Sequence, residues 1–229
     1  QRFRGTVEEC VSAGATLAAF HQMTADLRTR AAIPRGDYHD NANVRRALEH
    51  LGAEGNGRSG VASAARRLHA SYDGACGEAR ECGLPTFPPA VIHADWHPGN
   101  MLFRGAQIAA VIDYDSVRVS RRIIDVANGA LQFSILAGGR LQEWPEHLDV
   151  QRFHAFLRGY EEISRFQPGE RTCLAPLMRE ALIAEVVAPI ARTGNFGGLD
   201  ADDFLPVVEK KLTWLAQNAT ELTATTVAV

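Results

Sequence analysis

Apolar residues recur along this chain mostly at the three- and four-residue steps that are typical of one face of a helix. The first such stretch predicts a helix of about twenty residues that starts with the capping-box pair Thr6 and Glu9. Its predicted apolar face consists of Cys10, Ala13, Leu17, Phe20, Met23 and Leu27. The same spacing predicts helices at residues 44–51, 61–79 and 123–137 and, from residue 150 onward, a helical segment that includes 174–190 and 204–215.

Short extended segments are predicted only in the middle of the chain. An apolar run at residues 90–92 predicts one strand after several prolines, whereas residues 116–122 predict a basic loop. Residues 101–104 and 107–111 are two apolar runs joined by the Gly-Ala pair at 105–106, which predicts a β-hairpin. The chain is therefore predicted to be α+β and predominantly α-helical.

Polar residues flank the open end of this hairpin. A two-residue turn would place Arg104 opposite Gln107 and Asn100 opposite Val111. Because side chains alternate between the two faces of a strand, Asn100 and Asp113 would project from one face as diagonal neighbours. Their oxygen atoms are hard ligands of the kind that Mg²⁺ takes in small numbers beside water and phosphate. The sequence therefore predicts that these two residues hold a magnesium ion.

The residues around this site resemble those of a known enzyme family. The sequence His-Ala-Asp-Trp-His-Pro-Gly-Asn at 93–100, followed by Ile-Asp-Tyr-Asp at 112–115, is similar to the catalytic loop of the aminoglycoside phosphotransferases and choline kinases. Those enzymes have His-Gly-Asp-x-x-x-x-Asn and Ile-Asp-Phe/Trp, and they have a protein-kinase-like fold. The resemblance implies an ATP-dependent enzyme that transfers the γ-phosphoryl group to a hydroxyl of a small antibiotic, amino alcohol or sugar.

The resemblance also implies roles for individual residues. Asp95 would be the catalytic residue that orients and deprotonates the attacking hydroxyl, while Asn100 and Asp113 would hold Mg²⁺ beside the ATP. His93 would support the loop. Asp115 could assist a second metal ion, or could be a solvated loop acid.

Three further acidic residues have weaker indications. By the resemblance, Asp125 would support the catalytic loop by accepting its backbone amides, but it is equally explained as a first-turn helix acid. Glu180 and Glu185 lie in the helical region that walls the acceptor pocket of the family, so they are possible substrate-binding residues for a cationic acceptor. Five residues apart, they share a helix face poorly, and solvated glutamates are the alternative.

The resemblance covers residues 1–229 as one catalytic and substrate-binding lobe, in which residues 30–60 are expected to be largely loop or insertion. It does not include the N-terminal β lobe of the family, whose lysine contacts the nucleotide phosphates. The lysines here are Lys210 and Lys211. A Gly-x-Gly-x-x-Gly match at residues 55–60 follows a predicted helix rather than a strand, so it is interpreted as a connection. The chain is expected to be a truncated enzyme or a natural half.

Two other functions stay open at this point. In a metal-dependent hydrolase, an extended loop could bring His93, Asp95, His97 and Asp113 around zinc, although the Pro-Gly that follows favours a turn, in which His97 is simply a loop residue. A non-catalytic half-kinase would keep the pocket as a binding module. Its exposed lobe face would be apolar and could support self-association.

Composition narrows the class of protein. The content of 46% apolar and 22% charged residues indicates a soluble globular protein, and 24 basic against 27 acidic residues provide no basic field for nucleic acid. The longest apolar runs are shorter than a membrane span needs. Four scattered cysteines predict reduced thiols and a cytoplasmic location.

Overall fold

Helices take up most of the chain, as the apolar repeats predict. A computed structural model describes residues 1–27 and 33–224. Its helices are α1 (Val7–Met23), α2 (Ala42–Glu54), α3 (Ser59–Glu81), α4 (Arg122–Ser134), α5 (Val150–Ile163), α6 (Leu174–Thr193), α7 (Ala201–Gln217) and α8 (Ala219–Thr223). Its strands are β1 (Pro89–Ile92), β2 (Met101–Arg104), β3 (Gln107–Val111), β4 (Arg118–Arg121), β5 (Asn195–Phe196) and β6 (Leu199–Asp200). None of the helices described is both long and apolar enough to cross a membrane.

Helix α1 begins where the sequence predicts and ends earlier. The Thr6 hydroxyl accepts the amide of Glu9, and the Glu9 carboxylate accepts the amide of Thr6, which is the predicted capping box. The helix ends at Met23, and the Thr24 hydroxyl donates to the carbonyl of Phe20. Met23 and Leu27 are exposed, although the periodicity predicts them on the apolar face. The predicted helix was therefore about one turn too long.

Two glycines allow α1 to lie directly against α5. A Cβ atom on Gly14 would be 1.9 Å from the backbone oxygen of Phe156, and one on Gly159 would be 2.0 Å from the backbone oxygen of Val11. The two helix backbones can approach this closely only because neither glycine has a side chain. Helix α1 also contacts strand β3 of the hairpin.

Within residues 30–60, which are expected to be largely loop or insertion, the helix predicted at residues 44–51 forms and is longer than predicted. Residues 42–54 form α2, which is capped by the Asn41 side chain and buries Val44, Leu48 and Leu51. Residues 30–32 of the predicted loop lie outside the described residues. Packing against α3 explains the difference, since a short amphipathic helix is stabilised mainly by the apolar face that it buries.

Strand β4 corrects the predicted basic loop at residues 116–122. It pairs antiparallel with β1, with Val119 opposite Val91. On its other side the amide of Val119 donates to the carbonyl of Pro34 at 2.7 Å. The strand lacks a clear apolar alternation because only its two central residues, Val119 and Ser120, are buried. Backbone pairing on both sides, rather than side-chain pattern, forms this strand.

The hairpin of β2 and β3 has the predicted turn but contains a bulge. Arg104 pairs with Gln107, as a two-residue turn requires. Between Leu102 and Phe103 the register shifts by one residue, so Met101 lies opposite Val111. A β-bulge of this kind bends the strand and changes the facing of every residue beyond it.

The bulge overturns the predicted pairing of Asn100 with Val111. The amide of Ile112 donates to the carbonyl of Asn100 at 2.9 Å, so Asn100 lies opposite Ile112, and Asp113 is the next residue along the chain. On the β3 side of the turn, the hydroxyl of Ser12 in α1 accepts the amide of Ile108 at 3.0 Å. A side chain from another element thus takes part in the hairpin hydrogen bonding, which sequence spacing does not reveal.

Candidate active site

Asp125 anchors the loop that follows β1. Its two carboxylate oxygens accept the backbone amides of His93 at 2.7 Å and Ala94 at 2.8 Å. Asp125 is fully buried in the first turn of α4, and Nε2 of His21 lies 3.1 Å from its Oδ2. The other ring nitrogen of His21 contacts the Tyr160 hydroxyl at 2.9 Å. One buried carboxylate therefore joins the loop to α1, α4 and α5.

The loop turns sharply at Ala94, which has a left-handed backbone with φ of 64°. This conformation costs a residue with a side chain about 1–2 kcal/mol relative to the right-handed form. The hydrogen bond from its amide to Asp125 holds Ala94 there. The resembling enzymes have glycine at this position, for which the same backbone is unstrained. The turn separates buried His93 from exposed Asp95.

The side chains of His93 and Trp96 point into the core. Both residues are fully buried, and their ring centroids are 5.4 Å apart. The His93 ring also packs against Tyr114 at 5.1 Å and Phe20 at 6.0 Å. Within the described part of the chain, neither ring nitrogen of His93 has a hydrogen-bond partner. His93 therefore holds the loop through ring packing and through its backbone amide.

Asp95, Asn100 and His97 form a polar cluster at the surface. The Asn100 side-chain amide donates to Oδ2 of Asp95 at 2.7 Å and to its backbone carbonyl at 3.1 Å. Nδ1 of His97 accepts the amide of Gly99, and its Nε2 lies 3.5 Å from Oδ2 of Asp95. The Asp95 side chain is 41% exposed. A bound molecule can therefore reach the carboxylate.

Charge coupling within the cluster keeps Asp95 ionised. The contact with His97 holds the pKa of Asp95 below its usual value, with a smaller contribution from Asn100. The same contact raises the pKa of His97 above its usual value. The negative charges of Glu185 and Asp113 raise the pKa of His97 further, so both carboxylates lie within electrostatic range of it.

Asp113 and Asp115 lie on an exposed segment after β3. Asp113 has a left-handed backbone with φ of 63°, which ends the extended strand. Asn100 commits its amide nitrogen to Asp95, so its Oδ1 is the atom left for a cation. The structure thus gathers Asp95 and Asn100 in direct contact, with Asp113 on the adjacent turn, and leaves Asp115 in solvent.

Glu185 lies in the wall of a cavity and close to the cluster of Asp95, Asn100 and His97. Its carboxylate accepts a hydrogen bond from Gln132 of α4. Solvent reaches Glu185, yet the protein atoms packed around its carboxylate raise its pKa, and the negative charge of Asp95 raises it further. With Gln132 it borders a cavity of about 180 Å³. The other walls are mainly apolar and include Ile135, Trp144, Leu182, Val186, Phe196 and Phe204, and they also contain Lys211, whose ammonium group donates to the carbonyl of Pro145.

Glu180 is not placed to meet a substrate. It is fully buried, and its carboxylate contacts His39 and Cys76 rather than the cluster of Asp95. The two glutamates point into different surroundings because a step of five residues goes past one full helical turn and ends on a different face of the helix. Only Glu185 of the pair lies beside the candidate active site.

The zinc-hydrolase arrangement does not form. Within residues 1–27 and 33–224, the one group of three side chains close enough to share a metal ion is His39, Cys76 and Glu180. His93 is sealed among aromatic rings, whereas Asp95 and His97 face solvent. The left-handed turn at Ala94 separates them, so the segment is not the straight strand that this hypothesis requires.

The sequence does not predict the contacts of two side chains at the site. Its pattern indicates that His97 is a simple loop residue, although a position two residues after Asp95 in a tight turn is compatible with a contact. Gln132 orients Glu185 from a different helix. No local pattern could have identified Gln132, because the contact depends on how α4 packs against α6.

A known protein family and several solved structures match this chain. The profile of the family described as Phosphotransferase enzyme family matches residues 2–173. By sequence, no curated protein matches the chain significantly.

Three solved structures have a similar fold at low sequence identity. An aminoglycoside phosphotransferase from Alicyclobacillus acidocaldarius is 16% identical with a TM-score of 0.64, covering 95% of this chain and 67% of that one. A spectinomycin phosphotransferase in complex with ADP and spectinomycin is 14% identical with a TM-score of 0.55, covering 94% and 66%. A choline kinase from Cryptosporidium parvum is 16% identical with a TM-score of 0.53, also covering 94% and 66%. The chain thus spans about two thirds of each structure.

Proposed function

Because this chain belongs to the Phosphotransferase enzyme family, whose aminoglycoside phosphotransferases and choline kinases share its protein-kinase-like fold, we propose that it transfers the γ-phosphoryl group of ATP to a hydroxyl of a small molecule. The observation that carries this proposal is the direct contact of Asp95 with Asn100, beside Asp113, at the open end of the hairpin. In kinase-like enzymes, catalysis is mainly positioning and charge neutralisation. A carboxylate that takes a proton and two oxygen ligands for a metal ion are the groups that such catalysis needs.

We assign the proton transfer to Asp95. The acceptor hydroxyl gives its proton to the Asp95 carboxylate while its oxygen forms the new bond to the γ-phosphorus, and the bond between that phosphorus and ADP breaks. The depressed pKa of Asp95 makes it a weak base. A weak base suits a loose transition state, in which the hydroxyl proton is held and oriented before it is fully transferred.

The donor set at the hairpin suits Mg²⁺. The Oδ1 of Asn100 and the exposed carboxylate of Asp113 would hold the ion, and both are hard oxygen ligands. Bound Mg²⁺ would neutralise charge on the nucleotide phosphates. Leu102 and Ile112 expose apolar side chains beside these residues, which provides a surface for a nucleotide base. The same exposed side chains would support self-association if the nucleotide does not cover them.

We propose that the acceptor is an amino alcohol with an apolar body. Its hydroxyl would lie at Asp95, its ammonium group at Glu185 and its apolar part in the cavity. A carboxylate beside apolar and aromatic walls favours such a cation over a neutral sugar. The four unpaired cysteines are consistent with action in the cytoplasm, where thiols stay reduced.

The test is calorimetric titration of the 229-residue chain, and of a form extended upstream, with ATP or GTP in Mg²⁺ and in chelator. Magnesium-dependent binding that Asp113→Asn weakens at least tenfold supports the proposal, and Asp203→Asn on α7 is the matched control. A panel of amino alcohols, aminoglycosides, macrolides and neutral sugars, monitored by ADP release, then identifies the acceptor. For amine-containing acceptors, Glu185→Gln is expected to raise KM more than it lowers kcat.

Other outcomes have defined meanings. Magnesium-dependent nucleotide binding without transfer to any hydroxyl, in both forms of the chain, favours the non-catalytic binding module instead. Nucleotide binding that is insensitive to Asp113→Asn and to chelator contradicts the assignment of the metal residues. A preference for neutral sugars with no effect of Glu185→Gln contradicts the acceptor assignment alone.

A further inference from the structure

A second cluster of metal-binding side chains lies apart from the hairpin. His39 follows the segment that pairs with β4, Cys76 lies in α3, and Glu180 lies in α6. Nδ1 of His39 is 2.9 and 3.0 Å from the two oxygens of Glu180, and Sγ of Cys76 is 3.3 Å from Oε2. All three ligand atoms lie within 4.8 Å of one another.

The burial of this cluster distinguishes it from an ordinary surface ion pair. Glu180 and Cys76 are both fully buried, while the His39 side chain is 15% exposed. A buried carboxylate requires a compensating positive charge or several hydrogen bonds. Here the contacts described for Glu180 come from an imidazole and a thiol, which are themselves metal ligands, and no arginine or lysine contact with its carboxylate is described.

The spacing of the ligand atoms fits a small tetrahedral ion. In a zinc site with bonds of about 2.0–2.3 Å, neighbouring ligand atoms are about 3.3–3.8 Å apart. The Nδ1–Oε2 and Oε2–Sγ separations are 2.9 Å and 3.3 Å, and the Nδ1–Sγ separation is at most 4.8 Å, so modest side-chain movements bring all three pairs into that range. The side chains are therefore already close to a coordinating arrangement.

We propose that His39, Cys76 and Glu180 bind a Zn²⁺ ion. A thiolate, an imidazole and a carboxylate together favour zinc over Mg²⁺ or Ca²⁺, which prefer oxygen ligands only. The partly exposed His39 side gives the ion a route of entry and leaves a fourth position for water. This site is separate from the proposed magnesium site and does not depend on the proposed phosphotransferase activity.

Zinc binding changes the protonation of the thiol. Burial raises the pKa of Cys76 to about 12, so without a metal the thiol keeps its proton and donates a hydrogen bond to the Glu180 carboxylate. When the Zn–S bond forms, that proton leaves to solvent. His39 binds as neutral imidazole through Nδ1, and a protonated His39 would also release one proton.

The expected effect is structural. The ion would connect the turn at residues 38–41 with helices α3 and α6. This turn is otherwise held by hydrogen bonds such as that from the Asn41 amide to the Tyr72 hydroxyl. Because a site assembled from three distant segments does not exist in the unfolded chain, metal binding would stabilise the folded state.

Cobalt substitution provides the test. Titration of the metal-free chain with Co²⁺ is expected to produce a near-ultraviolet thiolate-to-metal absorption band that saturates at one equivalent of Co²⁺. Addition of one equivalent of Zn²⁺ should abolish the band. Cys76→Ser and His39→Gln should lose the band or weaken binding at least tenfold. Cys10→Ser, at a buried cysteine outside the cluster, should leave it unchanged. At free zinc about one hundred times Kd, the thermal midpoint should rise by roughly 5–10 °C.

The wild-type titration decides the question even if a variant fails to fold. Absence of the band in the folded wild-type chain overturns the proposal and leaves a hydrogen-bonded triad only. A band that persists unchanged in folded Cys76→Ser assigns the metal to another cysteine and also overturns it. Either result leaves the proposed phosphotransferase activity unaffected, since that is measured by nucleotide binding and ADP release.

Discussion

Asn100 donates its side-chain amide to the Asp95 carboxylate at 2.7 Å, across the five-residue turn that leads into the hairpin. The contact fixes the proposed base relative to the proposed metal ligand before any substrate binds. It also explains why the two residues need a fixed spacing in the sequence, because the intervening turn sets their separation.

Replacement of the proposed base tests this arrangement directly. Asp95→Asn keeps an oxygen that can accept from Asn100 but cannot take the hydroxyl proton. Turnover with the acceptor that the panel of alcohols identifies is expected to fall by about 10²–10⁴-fold with little change in nucleotide affinity. Steady-state kinetics and calorimetry measure the two effects. Asp203→Asn is the control, and an Asp95→Asn protein with near-normal turnover would contradict the role of Asp95.

Loss of the buried anchor is expected to destabilise the whole fold. Asp125→Ala leaves the amides of His93 and Ala94 without their acceptor and removes the partner of His21. The free energy of unfolding should fall by about 3–5 kcal/mol. Urea denaturation measures this, with exposed Glu49→Ala in α2 as a control that changes stability by about 0.5 kcal/mol or less. A loss below about 1 kcal/mol for Asp125→Ala would refute the anchoring role.

The contact of His97 with Asp95 predicts a specific pH dependence. The raised pKa of His97 means that its contribution to stability is full below about pH 6.5 and is lost as pH rises through its folded pKa. The lowered pKa of Asp95 means that its contribution is present above about pH 4 and is lost as pH falls through its folded pKa. The pair should therefore stabilise most between about pH 4 and pH 6.5. The effect is small, since both side chains are partly exposed.

NMR titration of the imidazole signals checks this assignment. In Asp95→Asn the pKa of His97 should move down towards its usual value, because the negative charge of Asp95, which stabilises the protonated imidazole, is removed. The titration curve of His154, whose pKa is lowered by burial in α5 and which lies outside the site, should be the same in both proteins. An unchanged His97 curve would show that the contact at 3.5 Å does not persist in solution.

The left-handed turn predicts an unusual response to glycine. Ala94→Gly should be neutral or stabilising by up to about 1 kcal/mol, because relief of the backbone strain outweighs the extra entropy of the unfolded chain. Ala15→Gly in the middle of α1 should cost about 0.5–1 kcal/mol, as is usual in a helix. Denaturation curves of the two variants make the comparison. A loss at Ala94 equal to that at Ala15 would argue against the left-handed backbone.

The sequence alone determined the features that depend on local spacing. Periodicity predicted the helical class and most helices, the capping box of Thr6 and Glu9, and the two-residue turn between Arg104 and Gln107. Each of these follows from backbone geometry within a few residues, which the order of amino acids specifies directly. The interval between Asp95 and Asn100 indicated the candidate site by its resemblance to the catalytic loop of the family.

Only the tertiary structure decided contacts between distant segments. It placed Glu185 beside the site and buried Glu180 with His39, formed β4 from backbone pairing on both of its edges, and shifted the hairpin register at the bulge. The physical reason is that such contacts depend on helix packing and on hydrogen bonds to groups tens of residues away. A single sequence carries no local signal for either.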